Sequence, residues 1–374
     1  MRGRLGRKRT GRIESVWKRF ERSRTKRDEE RAYYGGIAPK LGTGVLSLLM
    51  LVSLAAWLLR RRARETAPVA PEPEEGAGHL PSPFKSPEGE AEFMAAYEAT
   101  MQLWPVSHEP MDITGRYGRT HLVVSGPEDA PTLVLLHMFF TGLTQWAANI
   151  ADLSRDYRVY ALDVIGQPSK SIPDQPLESR QDCVAWLSEV LDALNIESTD
   201  IVGASFGGWF TLNYALGAPE RINKIALLSP ACGLVPLVKQ FYVRGMLNNF
   251  IGRRFVMDSF LRWSTYQENL RDPTTRLMMY CIGEQMYLGS KYFRLRMGVG
   301  PWIVFSDEEL RGMQVPTLLL IGEQEAYYDP AVALERARRL IPNFEGELLP
   351  RASHEMTISQ REFVDRRVLE FLKR

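Results

Sequence analysis

A serine flanked by glycines is the residue of this chain best placed to act as a nucleophile. Gly203, Ser205 and Gly207 form a G-x-S-x-G unit. A β-branched stretch precedes it, and a helix-compatible run from Trp209 to Leu216 follows it. On a tight strand-to-helix turn the serine is exposed above the sheet, and glycines avoid the clash that a Cβ would cause. The pattern therefore predicts a nucleophilic serine on such a turn.

A serine hydroxyl becomes a good nucleophile only when a base takes its proton, so a histidine is required. The chain has five histidines. His137 ends a strand-like stretch well before the serine, whereas His354 follows the last strand-like stretch and precedes the final helix. A loop there can bring the imidazole over the sheet edge to Ser205. We therefore expect His354 to be the base.

The base in turn needs a carboxylate that holds its tautomer and stabilises the imidazolium. Glu325 follows the strand-like stretch Thr317–Ile321 and is the first candidate, Asp329 is the second, and Asp163 is the third. Each could instead be a loop charge or a helix N-cap, and Asp329 before a proline fits the N-cap role well. The chain order nucleophile, acid, base favours Glu325.

Two backbone amides are needed to hold the oxyanion of a tetrahedral intermediate. One should be the amide of Phe206, directly after the nucleophile. The other should come from the loop after the stretch Thr132–His137, where Phe139 is the best candidate.

Strand-like and helix-like stretches alternate around these residues, which predicts an α/β fold with a mostly parallel sheet covered by helices on both faces. Such sheets bind ligands at the carboxyl ends of their strands. The strand-like stretches are 121–124, 132–137, 158–164, 200–204, 224–228, 317–321 and 346–349, and the helix-like stretches are 144–153, 180–194, 209–216, 331–340 and 361–372.

Together these residues resemble the α/β-hydrolase family over roughly residues 116–374. The resemblance rests on five stretches: 135–137, 163–166, 203–208, 315–322 and 353–354. It implies Ser205 as nucleophile, His354 as base and Glu325 as acid, with Phe139 and Phe206 as oxyanion donors. Two departures stand out, because the family usually has glycine where Met138 follows the histidine, and more often has aspartate at the acid position. Within the family the chain looks most like small bacterial ester hydrolases.

Residues 236–313 interrupt the sheet pattern and match the place where the family inserts a helical lid. The segment is rich in large aromatic and methionine side chains. These side chains could form the core of the lid, or they could roof an apolar acyl or aryl pocket, since methionine adapts to irregular surfaces.

An uncharged apolar run at residues 41–59 predicts one transmembrane helix. As a helix it is about 28 Å long, close to the thickness of the hydrocarbon core of a bilayer. A cleavable signal peptide fits poorly, because about forty residues precede the run and arginines follow it. A buried core helix is the other alternative.

The flanks of this run suggest an orientation. Residues 1–40 carry fourteen Lys/Arg against five Asp/Glu, a basic arm that favours a cytoplasmic N-terminus and an extracytoplasmic catalytic domain. The arginines in 60–64 argue the other way. Residues 60–90 are rich in Pro and Glu and read as a linker, which leaves residues 91–374 as the hydrolase domain.

Composition excludes some other classes. The chain outside the basic arm is mildly acidic, which argues against a nucleic-acid partner. Three widely spaced cysteines form no metal-binding motif, and the triad chemistry implies neither a metal nor an organic cofactor. We therefore expect a membrane-anchored serine hydrolase that acts on a small-molecule ester or thioester with an apolar moiety. Lactone opening, C–C bond hydrolysis and a catalytically silent, membrane-tethered receptor or scaffold are the alternatives.

Overall fold

The computed structural model of the protein describes residues 18–19, 21–22, 82–295, 297 and 303–374. The expected transmembrane helix at 41–59 lies outside these residues, as do most of the basic arm and of the linker. Residues 18–19 and 21–22 are helical and exposed. Among the described residues, no helix combines the length and the apolar character needed to cross a bilayer.

A nine-stranded sheet forms the centre of the domain, in the spatial order β1-β2-β4-β3-β6-β7-β8-β9, with β5 paired to β2. The pairings of β2 with β1, β4 and β5 are antiparallel, and all the others are parallel. The expected mostly parallel sheet is thus confirmed. The strands are β1 Glu109–Gly115, β2 Gly118–Ser125, β3 Thr132–Leu136, β4 Arg158–Leu162, β5 Ile172–Pro173, β6 Thr199–Ala204, β7 Ile222–Leu228, β8 Thr317–Gly322 and β9 Phe344–Leu349.

The central strands are apolar on both faces because helices cover both sides of the sheet. Every residue of β6 and β8 is buried. Successive side chains point to opposite faces, so that Leu133 and Leu135 belong to one core while Val134 and Leu136 belong to the other. This rigid sheet carries the loops that follow β3, β6, β8 and β9.

Helices occupy both faces and the lid. They are α1 Pro87–Met101, α2 Ile150–Leu153, α3 Arg180–Ala193, α4 Phe206–Gly217, α5 Lys239–Ile251, α6 Arg254–Trp263, α7 Pro273–Tyr292, α8 Asp307–Gly312, α9 Pro330–Leu340, α10 Met356–Ser359 and α11 Arg361–Leu372. The helix expected at 144–153 is instead a 3-10 segment, Leu143–Ala148, followed by the short α2.

Helix α1 begins at Pro87, inside the stretch expected to be linker. The Ser86 side chain caps the helix by accepting from the Gly89 amide, and the proline stands in the first turn where its missing N–H costs nothing. Just before the helix, Phe84 is buried against Phe93 and Phe293. The folded domain therefore includes residues before 91.

Helices α5, α6, α7 and α8 supply the helical character expected for residues 236–313. Helix α7 is fastened to the rest of the domain by a buried chain of hydrogen bonds. Gln285 Nε2 donates to Thr100 Oγ1 of α1 at 2.7 Å, and Thr144 Oγ1 donates to Gln285 Oε1 at 3.0 Å. These bonds hold α7 against α1 and against the 3-10 segment.

Candidate active site

Ser205 stands on the sharp turn between β6 and α4. Its backbone has φ 52° and ψ −112°, a conformation that is costly for a residue with a side chain. Hydrogen bonds hold it there, since its amide donates to the Leu228 carbonyl at 2.9 Å and its carbonyl accepts from the Ala231 amide at 3.0 Å. Strain of this kind persists only where the surroundings impose it, and here it presents the hydroxyl above the sheet.

The two glycines of the motif are needed because neither position has room for a Cβ atom. A Cβ on Gly203 would collide with the Gly207 carbonyl and with the Thr211 hydroxyl. A Cβ on Gly207 would collide with the Leu136 carbonyl at the end of β3. The steric reason given for the sequence motif therefore holds for both positions.

Three residues that are far apart in the sequence meet at this turn. His354 Nε2 lies 2.7 Å from Ser205 Oγ, and His354 Nδ1 lies 2.9 Å from Glu325 Oε2. All three are buried. With Nδ1–H donating to the carboxylate, Nε2 is left as the acceptor for the serine proton, which is the arrangement that general-base catalysis requires.

Tyr327 contacts both the acid and the base of the site. Its amide donates to Glu325 Oε1 at 3.0 Å, and its ring packs on the imidazole of His354 with centroids 3.9 Å apart. Burial raises the pKa of the Tyr327 hydroxyl well above its usual range, so that the ring stays neutral. No local sequence pattern singles out Tyr327, because its contact with the acid is made by the backbone and its ring packing on His354 arises only in the folded chain.

The other two candidate acids have different partners. Asp329 caps α9, because its Oδ1 accepts from the amides of Ala331 and Val332 at 3.0 and 3.1 Å. Asp163 is fully buried and accepts from the Tyr97 hydroxyl at 2.9 Å and from the Leu143 amide at 2.8 Å. Glu325 is the candidate acid that contacts His354.

The loop after β3 is held by side-chain amides. The Met138 amide donates to Gln145 Oε1 at 2.7 Å, and the Phe140 amide donates to Gln167 Oε1 at 3.3 Å. Phe139 stands between them, with its ring packed against that of Phe206 at 5.6 Å. No local sequence pattern singles out either glutamine.

Phe206 is the first residue of α4. Its amide is one of the initial N–H groups of the helix, which have no acceptor within the helix. An oxyanion beside Ser205 would therefore meet this amide and the positive end of the helix dipole.

His137 anchors the same loop. Its Nε2 accepts from the Val164 amide at 3.0 Å, so its proton lies on Nδ1, which donates to the Met138 carbonyl at 2.6 Å. Complete burial lowers the pKa of the imidazole. This histidine is thus a neutral structural residue, and Met138 takes a loop position that the histidine fixes.

A cavity opens at Ser205 and His354. Its wall is mostly apolar and comes from the loop after β3, from the lid and from the loop that carries His354. Besides the serine and the histidine, it is lined by Met138, Phe139, Thr141, Phe206, Ala231, Phe241, Phe260, Leu261, Ser264, Met279, Ile282, Met286, Tyr327, Glu355 and Ile358.

Some of the aromatic and methionine residues of the lid take the two roles considered for them, whereas Tyr242, Phe250 and Phe255 are exposed. Phe241, Phe260, Met279 and Met286 line the cavity, and Met257 is buried in the core. Both expectations, lid core and pocket roof, therefore apply to different members of the set.

Comparison with known proteins identifies the family. Residues 131–359 match the α/β hydrolase fold family. The chain is 39% identical over 280 residues to the uncharacterized carboxylesterase nap of Bacillus subtilis, an alignment that covers 75% of this chain and 91% of the relative. It is 34% identical over 294 residues to carboxylesterase YbfK of the same organism, covering 77% and 96% of the two chains.

A solved structure supports the same assignment. The crystal structure of naproxen esterase (carboxylesterase NP) from Bacillus subtilis matches with a TM-score of 0.71 and 36% identity, covering 77% of this chain and 99% of that chain.

Proposed function

The chain belongs to the α/β-hydrolase family, and we propose that it cleaves carboxylic esters or thioesters that carry an apolar group, through Ser205, His354 and Glu325. The family and the carboxylesterase relatives identify it as a serine hydrolase of the esterase type. The observation that carries the finer proposal is the hydrogen-bonded chain from Ser205 Oγ through His354 to Glu325, open to an apolar cavity.

In the proposed mechanism, His354 Nε2 takes the proton of Ser205 as Oγ attacks the ester carbonyl. Glu325 stabilises the imidazolium that forms, and the amides of Phe206 and Phe139 hold the oxyanion. His354 then protonates the leaving alcohol or thiol, which leaves an acyl-enzyme. Water, deprotonated by the same imidazole, attacks the acyl-enzyme and releases the acid, which restores Ser205.

The apolar wall supports the choice of substrate. Burial of hydrocarbon stabilises a complex by roughly 25 cal/mol per Å² of apolar surface, so a cavity of this composition favours acyl or alcohol groups without charge. Methionines in the wall can adapt to more than one shape.

We also propose that residues 41–59 anchor the enzyme in a membrane as a single span, with the catalytic domain on the extracytoplasmic side. The support is the uncharged run itself and the excess of positive charge in residues 1–40. Membrane fractionation of the full chain tests the anchor, and protease access to the catalytic domain in intact cells tests the orientation. Recovery of the full chain only in the soluble fraction would contradict the anchor.

Turnover of p-nitrophenyl esters of increasing acyl length, with one thioester in the series, tests the proposed reaction. We expect kcat/KM to rise with chain length until the cavity is filled, and we expect Ser205→Ala to abolish turnover. A folded wild-type protein that turns over none of these substrates would instead support the receptor or scaffold alternative.

A further inference from the structure

The aromatic ring of Tyr327 lies directly against the imidazole of His354. The ring centroids are 3.9 Å apart, and the two planes are inclined by 32°. This separation is shorter than the roughly 4.5–7 Å typical of aromatic pairs, and at so small an inclination it places the imidazole over the face of the phenol ring. The base of the site therefore rests on the π face of Tyr327.

Aromatic side chains of the lid hold the Tyr327 ring in this position. Phe241 of α5 packs on it with centroids 4.7 Å apart. Phe260 and Trp263 of α6 pack on it at 5.8 and 5.5 Å. Tyr327 is only 6% exposed. The ring thus has little freedom to turn away from the imidazole.

The face of the imidazole matters because His354 is positively charged while it holds the proton of Ser205. His354 is buried, so water can hydrate little of that charge. Glu325 stabilises the charge at Nδ1, in the plane of the imidazole. The face of an aromatic ring attracts a cation that lies within about 6 Å of its centroid. The Tyr327 ring therefore favours the imidazolium over the neutral imidazole.

We propose that Tyr327 is a positioning residue that stabilises the imidazolium of His354 through the π face of its ring, in both the acylation and the deacylation steps. This inference rests on the proposed esterase function and adds a second stabilising group, beside Glu325, to the base. Because rings of α5 and α6 hold Tyr327 in place, the lid contributes to the action of the base as well as to the wall of the cavity.

Two carboxyl groups also influence the imidazole. Glu325 lies at Nδ1, and Glu355 follows His354 in the chain and lines the same cavity. Among the described residues, α5, α6 and α7 contribute no ionisable side chain to the cavity wall. A substitution of the Tyr327 side chain keeps both carboxyl groups and also keeps the backbone amide that donates to Glu325. A change in the pH dependence of such a variant therefore reports on the ring.

The test is the pH dependence of kcat/KM for p-nitrophenyl butyrate in the full chain with Tyr327→Leu, which removes the ring and keeps an apolar side chain. On the acid side, kcat/KM falls as the base of the free enzyme becomes protonated. Loss of the π face disfavours the protonated form, so we expect the midpoint of the acid limb to move to lower pH by about 0.4–1.5 units. The plateau should fall about two- to thirtyfold, because the imidazolium of the transition state loses the same contact.

Two further variants separate the ring from its packing. Tyr327→Phe keeps an aromatic face and should leave the midpoint of the acid limb at the wild-type pH. Phe260→Leu is the matched control, because it makes the same kind of change in a lid ring that packs on Tyr327. Its plateau can differ from that of the wild type, since Phe260 lines the cavity, but its midpoint should not move.

Each failure has its own signature. If the wild type hydrolyses no ester, the proposed function fails. If it does, but the midpoint in Tyr327→Leu stays in place or moves to higher pH, as better hydration of the imidazolium would cause, the inference is refuted. An equal shift in Tyr327→Phe would assign the effect to the hydroxyl group, and an equal shift in Phe260→Leu would assign it to lid packing; either result would overturn the role of the ring. Should Tyr327→Leu not fold, Tyr327→Met replaces it and faces the same criterion.

Discussion

Replacing Glu325 with glutamine should disable the site through the wrong histidine tautomer. In the wild type, Oε2 accepts from His354 Nδ1 and Oε1 accepts from the Tyr327 amide. Glutamine can satisfy only one of these donors with its oxygen. If the oxygen keeps its bond to the Tyr327 amide, the NH₂ group faces Nδ1 of His354. The imidazole proton then moves to Nε2, and Nε2 can no longer accept the proton of Ser205.

The reverse orientation of the glutamine restores the correct tautomer but sets its NH₂ group against the Tyr327 amide. Donor against donor costs about 1–3 kcal/mol, so between about one molecule in six and one in 150 would hold the productive orientation. Loss of the negative charge that stabilises the imidazolium lowers the rate further. The corresponding change in a serine protease triad lowers kcat about 10,000-fold, and we expect a fall of about 1,000- to 10,000-fold in Glu325→Gln.

Steady-state turnover of a p-nitrophenyl ester measures this effect, with circular dichroism as the check on folding. Asp329→Asn is the matched control, because asparagine is as good an N-cap for α9 as aspartate, and its kcat should stay within about twofold of the wild type. A loss of less than tenfold in Glu325→Gln, or an equal loss in Asp329→Asn, would refute the assignment of the acid.

Three further predictions concern folding. Gly207→Ala should yield little folded protein, because the new Cβ collides with backbone atoms. Gly245→Ala has open space around its Cβ and should be neutral or stabilising. Soluble yield and Tm measure both effects. Burial raises the pKa of Asp365 to about 8, so the folded state keeps a proton that the unfolded state releases from about pH 4. The free energy of unfolding should therefore fall as pH rises from about 4 to 8. Urea unfolding should show a smaller fall in Asp365→Asn, and an equal fall would contradict the assignment. A protein lacking residues 1–81 should have a higher Tm than one lacking residues 1–90, which loses the buried aromatic contact and the cap before α1, and equal values would show that these contacts contribute nothing.

The sequence was sufficient for the features that depend on local chemistry and strand order. Ser205, Glu325 and His354 each follow a strand, and the parallel strands of one sheet end at the same edge. The chain order and the positions of these three residues therefore predicted that they lie close together. Central strands were recognisable because burial on both faces makes them continuously apolar. The edge strands β1 and β5 lack that signal, since β1 is largely exposed and β5 has two residues.

Helix α1 was missed because its start signals lie within a stretch whose composition is that of a linker. Ser86, Pro87 and Glu88 are a cap, a first-turn proline and a first-turn acid, which is a recognisable helix start. The division of the lid side chains between core and cavity depends on how α7 packs, which no local pattern encodes.

Labelling by a fluorophosphonate probe, with the modified residue identified by mass spectrometry, tests the central claim most directly. A probe of this kind reacts with a serine only when a base activates it and an oxyanion site accepts the phosphoryl oxygen. We predict a single adduct on Ser205 of the folded wild-type protein and no adduct in Ser205→Ala. An unlabelled wild-type protein that is correctly folded, or an adduct that persists in Ser205→Ala, would contradict it.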